Sequence, residues 1–134
     1  MAGYSGTPLA RKLGYKPGMT IHTINPPPGY PRLLGPLPKT VVQAKTPRGP
    51  LDAVHVFTSS KQDLERRLPA LLAALQPAGM LWVSWPKKAA KVETDLTEDV
   101  IRQVALANGV VDVKVCAVDE VWSGLKLVRR RKDR

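Results

Sequence analysis

The chain has 134 residues, enough for one domain that buries roughly two-thirds of its unfolded surface. Its makeup is that of a globular protein, 43% hydrophobic, and the single cysteine, Cys116, excludes an intramolecular disulfide. The formal charge is +10, and the last six residues, Arg129-Arg130-Arg131-Lys132-Asp133-Arg134, hold only four of those net charges, so the body is basic too and suited to polyanions.

No segment approaches the roughly 18 apolar residues of a membrane span, so no membrane partner is expected. The first residues, Met1-Ala2-Gly3-Tyr4-Ser5-Gly6, lack the apolar stretch of a signal peptide, and the expected location is the cytoplasm. Thr7-Pro8 opens a short helix over residues 9–13, with threonine at the cap, proline at the first helical position and Gly14 as the stop. Lys16-Pro17-Gly18 reads as a turn and residues 19–24 as the first strand. Asn25-Pro26-Pro27-Pro28-Gly29-Tyr30 is then a rigid loop or a piece of polyproline conformation. Residues 32–34 make one helical turn before Gly35-Pro36. Residues 40–44 make a short second strand, and Thr46-Pro47-Arg48-Gly49-Pro50 a connection.

Residues 51–57 are nearly continuous in apolar side chains and form the third strand. Ser60, with Asp63 three residues on, is a variant of the capping box. The helix it opens carries Leu64, Leu68, Leu71, Leu72 and Leu75 on one stripe, and Pro69 inside that stripe predicts a kink or a split. Pro77-Ala78-Gly79 has turn chemistry, with Gly79 suited to positive φ. Residues 80–85 follow as an apolar run interrupted only by Ser84, without the alternation of a half-solvated strand, which predicts a strand covered on both faces. Pro86 cannot donate to a ladder and ends the strand, releasing Lys87 and Lys88 at its carboxyl end. Asp95 and Glu98 cap the next helix, whose buried stripe is Val100, Ile101, Val104 and Ala105 and whose stop is Asn108-Gly109. Residues 111–118 and 124–128 are the last strands, and Cys116 falls in the first of them as a small buried side chain.

Strands alternating with helices predict a three-layer, Rossmann-like α/β sandwich with a mostly parallel sheet of about six strands. The last two strands are too close for a helical crossover, so the final one is expected to run antiparallel. Residues 1–128 then form a single domain and residues 129–134 a basic tail.

Leu75-x-Pro77-Ala78-Gly79-Met80-Leu81 resembles the L-K-P-G-G-x-L turn of class I S-adenosylmethionine-dependent methyltransferases. The order of elements after it is similar to that fold as well. Trp82-Val83-Ser84-Trp85-Pro86-Lys87-Lys88, Thr94-Asp95-Leu96-Thr97-Glu98-Asp99-Val100 and Val118-Asp119-Glu120-Val121-Trp122-Ser123-Gly124-Leu125-Lys126-Leu127 resemble segments of a small bacterial family of unknown function. The methyltransferase resemblance implies a glycine-rich cofactor loop after the first strand and an acidic residue after the second. Here those places hold Asn25-Pro26-Pro27-Pro28-Gly29 and Lys45. Three prolines remove three backbone donors, so no nest of N–H groups can form, and no cofactor is assigned.

Other chemistry is sparse. His22 and His55 fall in neighbouring strands without a third ligand, and no metal is assigned. Ser59 and Ser60 fit helix caps better than nucleophiles, and Tyr30, Trp85 and Trp122 fit core or groove-lining aromatics. No catalytic residue is named. The expected function is non-catalytic binding of a protein partner or a small anionic ligand at the carboxyl ends of the strands, where ligands sit in open α/β sheets. The residues expected there are Asn25, Ser59, Ser60, Trp85, Lys87, Lys88, Asp119 and Trp122. Two alternatives stay open: a divergent methyltransferase, and a weak, sequence-independent nucleic-acid binder working through Arg129, Arg130, Arg131 and Lys132.

Overall fold

In the computed structural model, residues 7–134 are described; the Met1-to-Gly6 stretch, read above for a signal peptide, lies outside them. The strands are β1 (Thr20–Ile24), β2 (Val42–Gln43), β3 (Leu51–Phe57), β4 (Leu75–Pro86), β5 (Val110–Ala117) and β6 (Trp122–Arg129). The helices are α1 (Leu9–Leu13), α2 (Tyr30–Leu34), α3 (Lys61–Ala74) and α4 (Glu98–Ala107). The strands form one sheet in the order β2-β1-β3-β4-β6-β5. Pairing is parallel from β2 through β4, and β6 runs antiparallel between β4 and β5.

The uninterrupted apolar runs have the reason expected: both faces of the sheet are covered. Successive side chains point to opposite faces. Val54, Val56, Leu81, Val83 and Trp85 meet the apolar stripes of α3 and α4 on one face. Ala53, Phe57, Met80 and Trp82 meet Leu9, Leu13, Tyr30 and Leu34 of α1 and α2 on the other. Among the described residues no helix is long and apolar enough to cross a membrane.

Several local expectations are corrected. Pro8, not Thr7, stands at the N-cap of α1, with extended backbone at φ −56° and ψ 143°, and its carbonyl accepts from the N–H groups of Arg11 and Lys12. The helix of residues 32–34 begins earlier, at Tyr30, because Gly29 turns the chain at φ 82° and Pro31 is already set for a first helical turn. Helix α3 runs unbroken through Pro69. A proline inside a helix costs roughly 3 kcal/mol, and burial of Leu64, Leu68, Leu71 and Leu72 against the sheet offsets it. The capping box is half made. Ser60 Oγ accepts from Asp63 N at 3.1 Å, but the Ser60 N–H donates to Thr58 Oγ1 at 3.2 Å, because aspartate is one methylene too short to reach back. Thr97 rather than Asp95 caps α4, accepting from Val100 N, while Asp95 accepts from Lys61 N at 2.8 Å and so caps α3.

Pro77-Ala78-Gly79 is not a turn but a bulge inside β4. Leu51 pairs with Leu75 and Ala53 with Met80, so three extra residues of β4 are taken up between them. Gly79 does not adopt positive φ. Its lack of a side chain is needed for space: a Cβ there would lie 3.0 Å from Gln76 O and from a Leu75 methyl.

Candidate functional site

The carboxyl ends of β1 and β3 lie side by side, where the methyltransferase resemblance implies a cofactor. Asn25 leaves β1 in the left-handed region at φ 55°, which asparagine tolerates better than most residues. Of residues 26–31, four are prolines without an N–H. Only Gly29 and Tyr30 can donate, and the Tyr30 N–H is spent on Pro27 O at 3.1 Å. Beyond β2, residues 44–50 contain no carboxylate, and Lys45 is exposed there. The donor set therefore does not fit S-adenosylmethionine, which by the methyltransferase resemblance needs close backbone approach and an acidic partner for its ribose.

Beside this loop lies a cleft of about 550 Å³ between α1 and α2, within the range of small-ligand sites. Leu9, Pro8 and Leu33 give it apolar walls, Lys12 and Arg32 face it from opposite helices, and Val118 and Asp119 close it from the far side. Lys12 Nζ donates to Ala117 O at 3.5 Å. Among the described residues the Arg32 guanidinium has no hydrogen-bond or ion-pair partner. Asp119 is committed to the chain: its Oδ1 accepts from Val121 N and Trp122 N at 2.8 and 2.7 Å.

The residues expected to converge are divided between the two sides of the sheet. Asp119 lines the cleft, and Asn25 stands four residues before its Gly29 wall without lining it. Trp122 packs edge-on against Phe57 on the α1–α2 face, with ring centroids 5.1 Å apart, and so seals the sheet end there. Trp85 is buried in the opposite core, against α3 and α4. Ser60 caps α3, and the Ser59 carbonyl accepts from the Thr94 hydroxyl at 2.6 Å. Lys87 donates its N–H to Val121 O, and Lys88 begins a 3-10 turn; neither lines the cleft. The reason is the pleat, which turns Trp85 to the face opposite Trp82, together with helices that follow β3 and β4 on that same far face. Lys12 and Arg32 were missed. Their signal was the burial expected of Leu9 and Leu13 in α1 and of Tyr30 and Leu34 in α2, which leaves the intervening cations outside.

The two histidines do not face each other. Thr23 is the register partner of His55, so His22 points to the other side, where its Nδ1 lies 2.8 Å from Ala44 O. Among the described residues no group of three or more His, Cys, Asp or Glu is placed to hold a metal. His55 is fully buried between Tyr30 and Ser84, with Tyr30 Oη 2.9 Å from Nδ1 and Ser84 Oγ 2.6 Å from Nε2. Burial pushes the imidazole pKa down to about 3 and the Tyr30 hydroxyl up to about 12. The row of tyrosine, histidine and serine is thus a sealed polar tie between α2, β3 and β4. Its serine is 0% exposed and meets no substrate.

No family model and no curated protein matches the sequence. Solved structures do match. A SAM-dependent methyltransferase from Aquifex aeolicus superposes with a TM-score of 0.59 at 16% identity, covering 89% of this chain and 86% of that one. The N-methyltransferase NodS from Bradyrhizobium japonicum WM9 gives 0.57 at 13% identity, with 84% and 86% covered. The ribosomal protein L11 methylase from Lactobacillus delbrueckii subsp. bulgaricus gives 0.57 at 14%, with 91% and 75% covered. The chain has the Rossmann-like fold of S-adenosylmethionine-dependent methyltransferases.

Proposed function

We propose that the chain is a methyltransferase-fold domain that transfers no methyl group and holds a small anionic ligand with an apolar body in the α1–α2 cleft. The observation that carries this reading is the Asn25-to-Gly29 loop, whose prolines remove the backbone donors at the cofactor position. Lys45 adds a positive charge where the ribose hydroxyls would need an acceptor. What supports the ligand class is the cleft itself. Its walls are largely apolar, Arg32 and Lys12 supply full positive charge, and the carboxylate present, Asp119, is already occupied by two backbone donors.

Phenylphosphate carries both features, a ring and a dianion, and serves as the probe. The expected result in a calorimetric titration is saturable binding that Arg32→Gln weakens about tenfold, the effect of one charge-assisted hydrogen bond. Lys12→Gln should weaken it as well. Absence of saturable binding, or binding indifferent to both substitutions, would contradict the reading.

A further inference from the structure

On the sheet face that α1 and α2 cover further along, the β5–β6 end carries charge in place of a helix. Lys126 of β6 stands opposite Trp82 of β4 on one side and opposite Lys114 of β5 on the other. The register therefore places two ammonium stems directly across an antiparallel pair, where like charges destabilise. The Arg134 guanidinium donates to Arg129 O at 3.0 Å, so the end of the chain folds back toward the same strands. Lys16, in the turn after α1, completes the cluster: Lys126 is half-buried, and its pKa is held below the ordinary lysine value by burial and then by Lys114, Lys16 and Arg134.

The nearby carboxylates are spent elsewhere. Asp112 of β5 holds Arg102 at 3.1 Å, and Asp133 holds Arg130 at 3.0 Å. Among the described residues no carboxylate pairs with Lys114 or Lys126. Lysines on an edge strand commonly guard it against pairing with another chain. That accounts for Lys114, since β5 is the edge and Val113 and Val115 are exposed, but it does not account for Lys126 on the inner strand β6. Arg129, expected in the tail, is also occupied: it is the last residue of β6, and its guanidinium donates to Gln76 O at 3.1 Å and to Leu72 O, closing the C-terminal end of α3. The available cations are thus those of the sheet face and, in the tail, Arg131, Lys132 and Arg134, which reach the face through Arg134.

We propose that this face, centred on Lys114 and Lys126 with Lys16 and Arg134 beside it, binds the phosphate backbone of nucleic acid without reading its sequence. An extended polyanion with a charge at every repeat neutralises the sheet face and the tail together, whereas a small anion meets only one of them. The tryptophans lie in the core or at the far end of β6, so no aromatic platform for stacking bases accompanies the cations here. This surface is independent of the α1–α2 cleft and its ligand.

The test is fluorescence anisotropy with a labelled oligothymidylate across a range of salt concentrations, with polyglutamate of equal charge as competitor. In the Lys114→Gln, Lys126→Gln double variant the slope of log K against log salt should flatten by about 1.4, two counterions at roughly 0.7 each for a single strand. Polyglutamate should compete poorly. An unchanged slope overturns the proposal, and so does polyglutamate competing as well as the oligonucleotide, which would assign the face to an acidic protein segment. Removing the two opposed charges relieves their repulsion, so the double variant should keep its melting temperature or raise it. If the double variant nevertheless fails to fold, Lys16→Gln, in an exposed turn, decides the matter by a slope change of about 0.7 or none.

Discussion

Lowering the pH from 6.5 toward 3 should strip this domain of on the order of 4 kcal/mol of stability through one residue, His55. The imidazole is fully buried, and its pKa is about 3 in the folded chain against 6.5 when solvated. Across that window the unfolded chain binds a proton that the folded chain refuses. The stabilisation is therefore complete above 6.5 and lost as the pH falls toward the folded value. Both ring nitrogens are engaged, one by Tyr30 and one by Ser84, so no solvated position is open to the imidazolium. Asp63 acts in a lower range. Burial alone would raise its pKa, but hydrogen bonds from Arg66, Thr58 and Arg67 outweigh this and hold it below the usual carboxylate value. Urea unfolding midpoints measured at successive pH values should fall first in the imidazole range. His55→Gln should start less stable at neutral pH and show a flatter profile through that range. A wild-type midpoint that does not move until the carboxylates titrate would contradict the assignment.

Trp82→Ala should cost about 3–5 kcal/mol, the range for deleting a large buried aromatic. The ring is 0% exposed at the centre of β4, and its Nε1–H donates to Leu13 O at 2.9 Å. Leu13 is the last residue of α1, so the indole satisfies a carbonyl that a five-residue helix cannot satisfy itself. Gly124 of β6 leaves room beside the ring: a Cβ there would stand 3.3 Å from Trp82 Cε3 and 3.2 Å from Ser84 Oγ. Trp82→Phe retains much of the apolar volume and loses the donor, so it should cost about 1–3 kcal/mol. It should also loosen α1, one wall of the cleft, and weaken phenylphosphate binding. Chemical denaturation gives the two stability losses, and hydrogen exchange in residues 9–13 reports on the helix. Equal losses for the two variants would mean that volume plays no part and that the hydrogen bond alone matters.

Much of the architecture was legible because it rests on patterns within single segments. The run from Met80 to Trp85 announces a strand covered on both sides, and the leucines of α3 announce the face that covers it. The short link between β5 and β6 dictated the antiparallel pair. What was not legible depended on meetings between distant segments. Asp95 reads as a cap for its own helix until α3 is seen to start beside it. Pro69 reads as a helix breaker until the packing that overrides it is known. Gly79 reads as a turn residue, although its role is to let Asp52, Leu75 and Gln76 come close. For the site, the edge of the sheet was legible but its two sides were not. Strand ends alone do not tell which residues share a face once the helices are laid down, and so Trp85 and Asp119 were grouped while Arg32 was passed over.

The most direct measurement is a calorimetric titration of the protein with S-adenosylmethionine. With residues 26–28 all proline and Lys45 beyond β2, the expected result is no saturable heat at cofactor concentrations that fill an ordinary methyltransferase site. Binding at micromolar affinity or tighter, weakened by substitutions between Asn25 and Gly29, would contradict the reading and return the domain to the methyl-transferring enzymes.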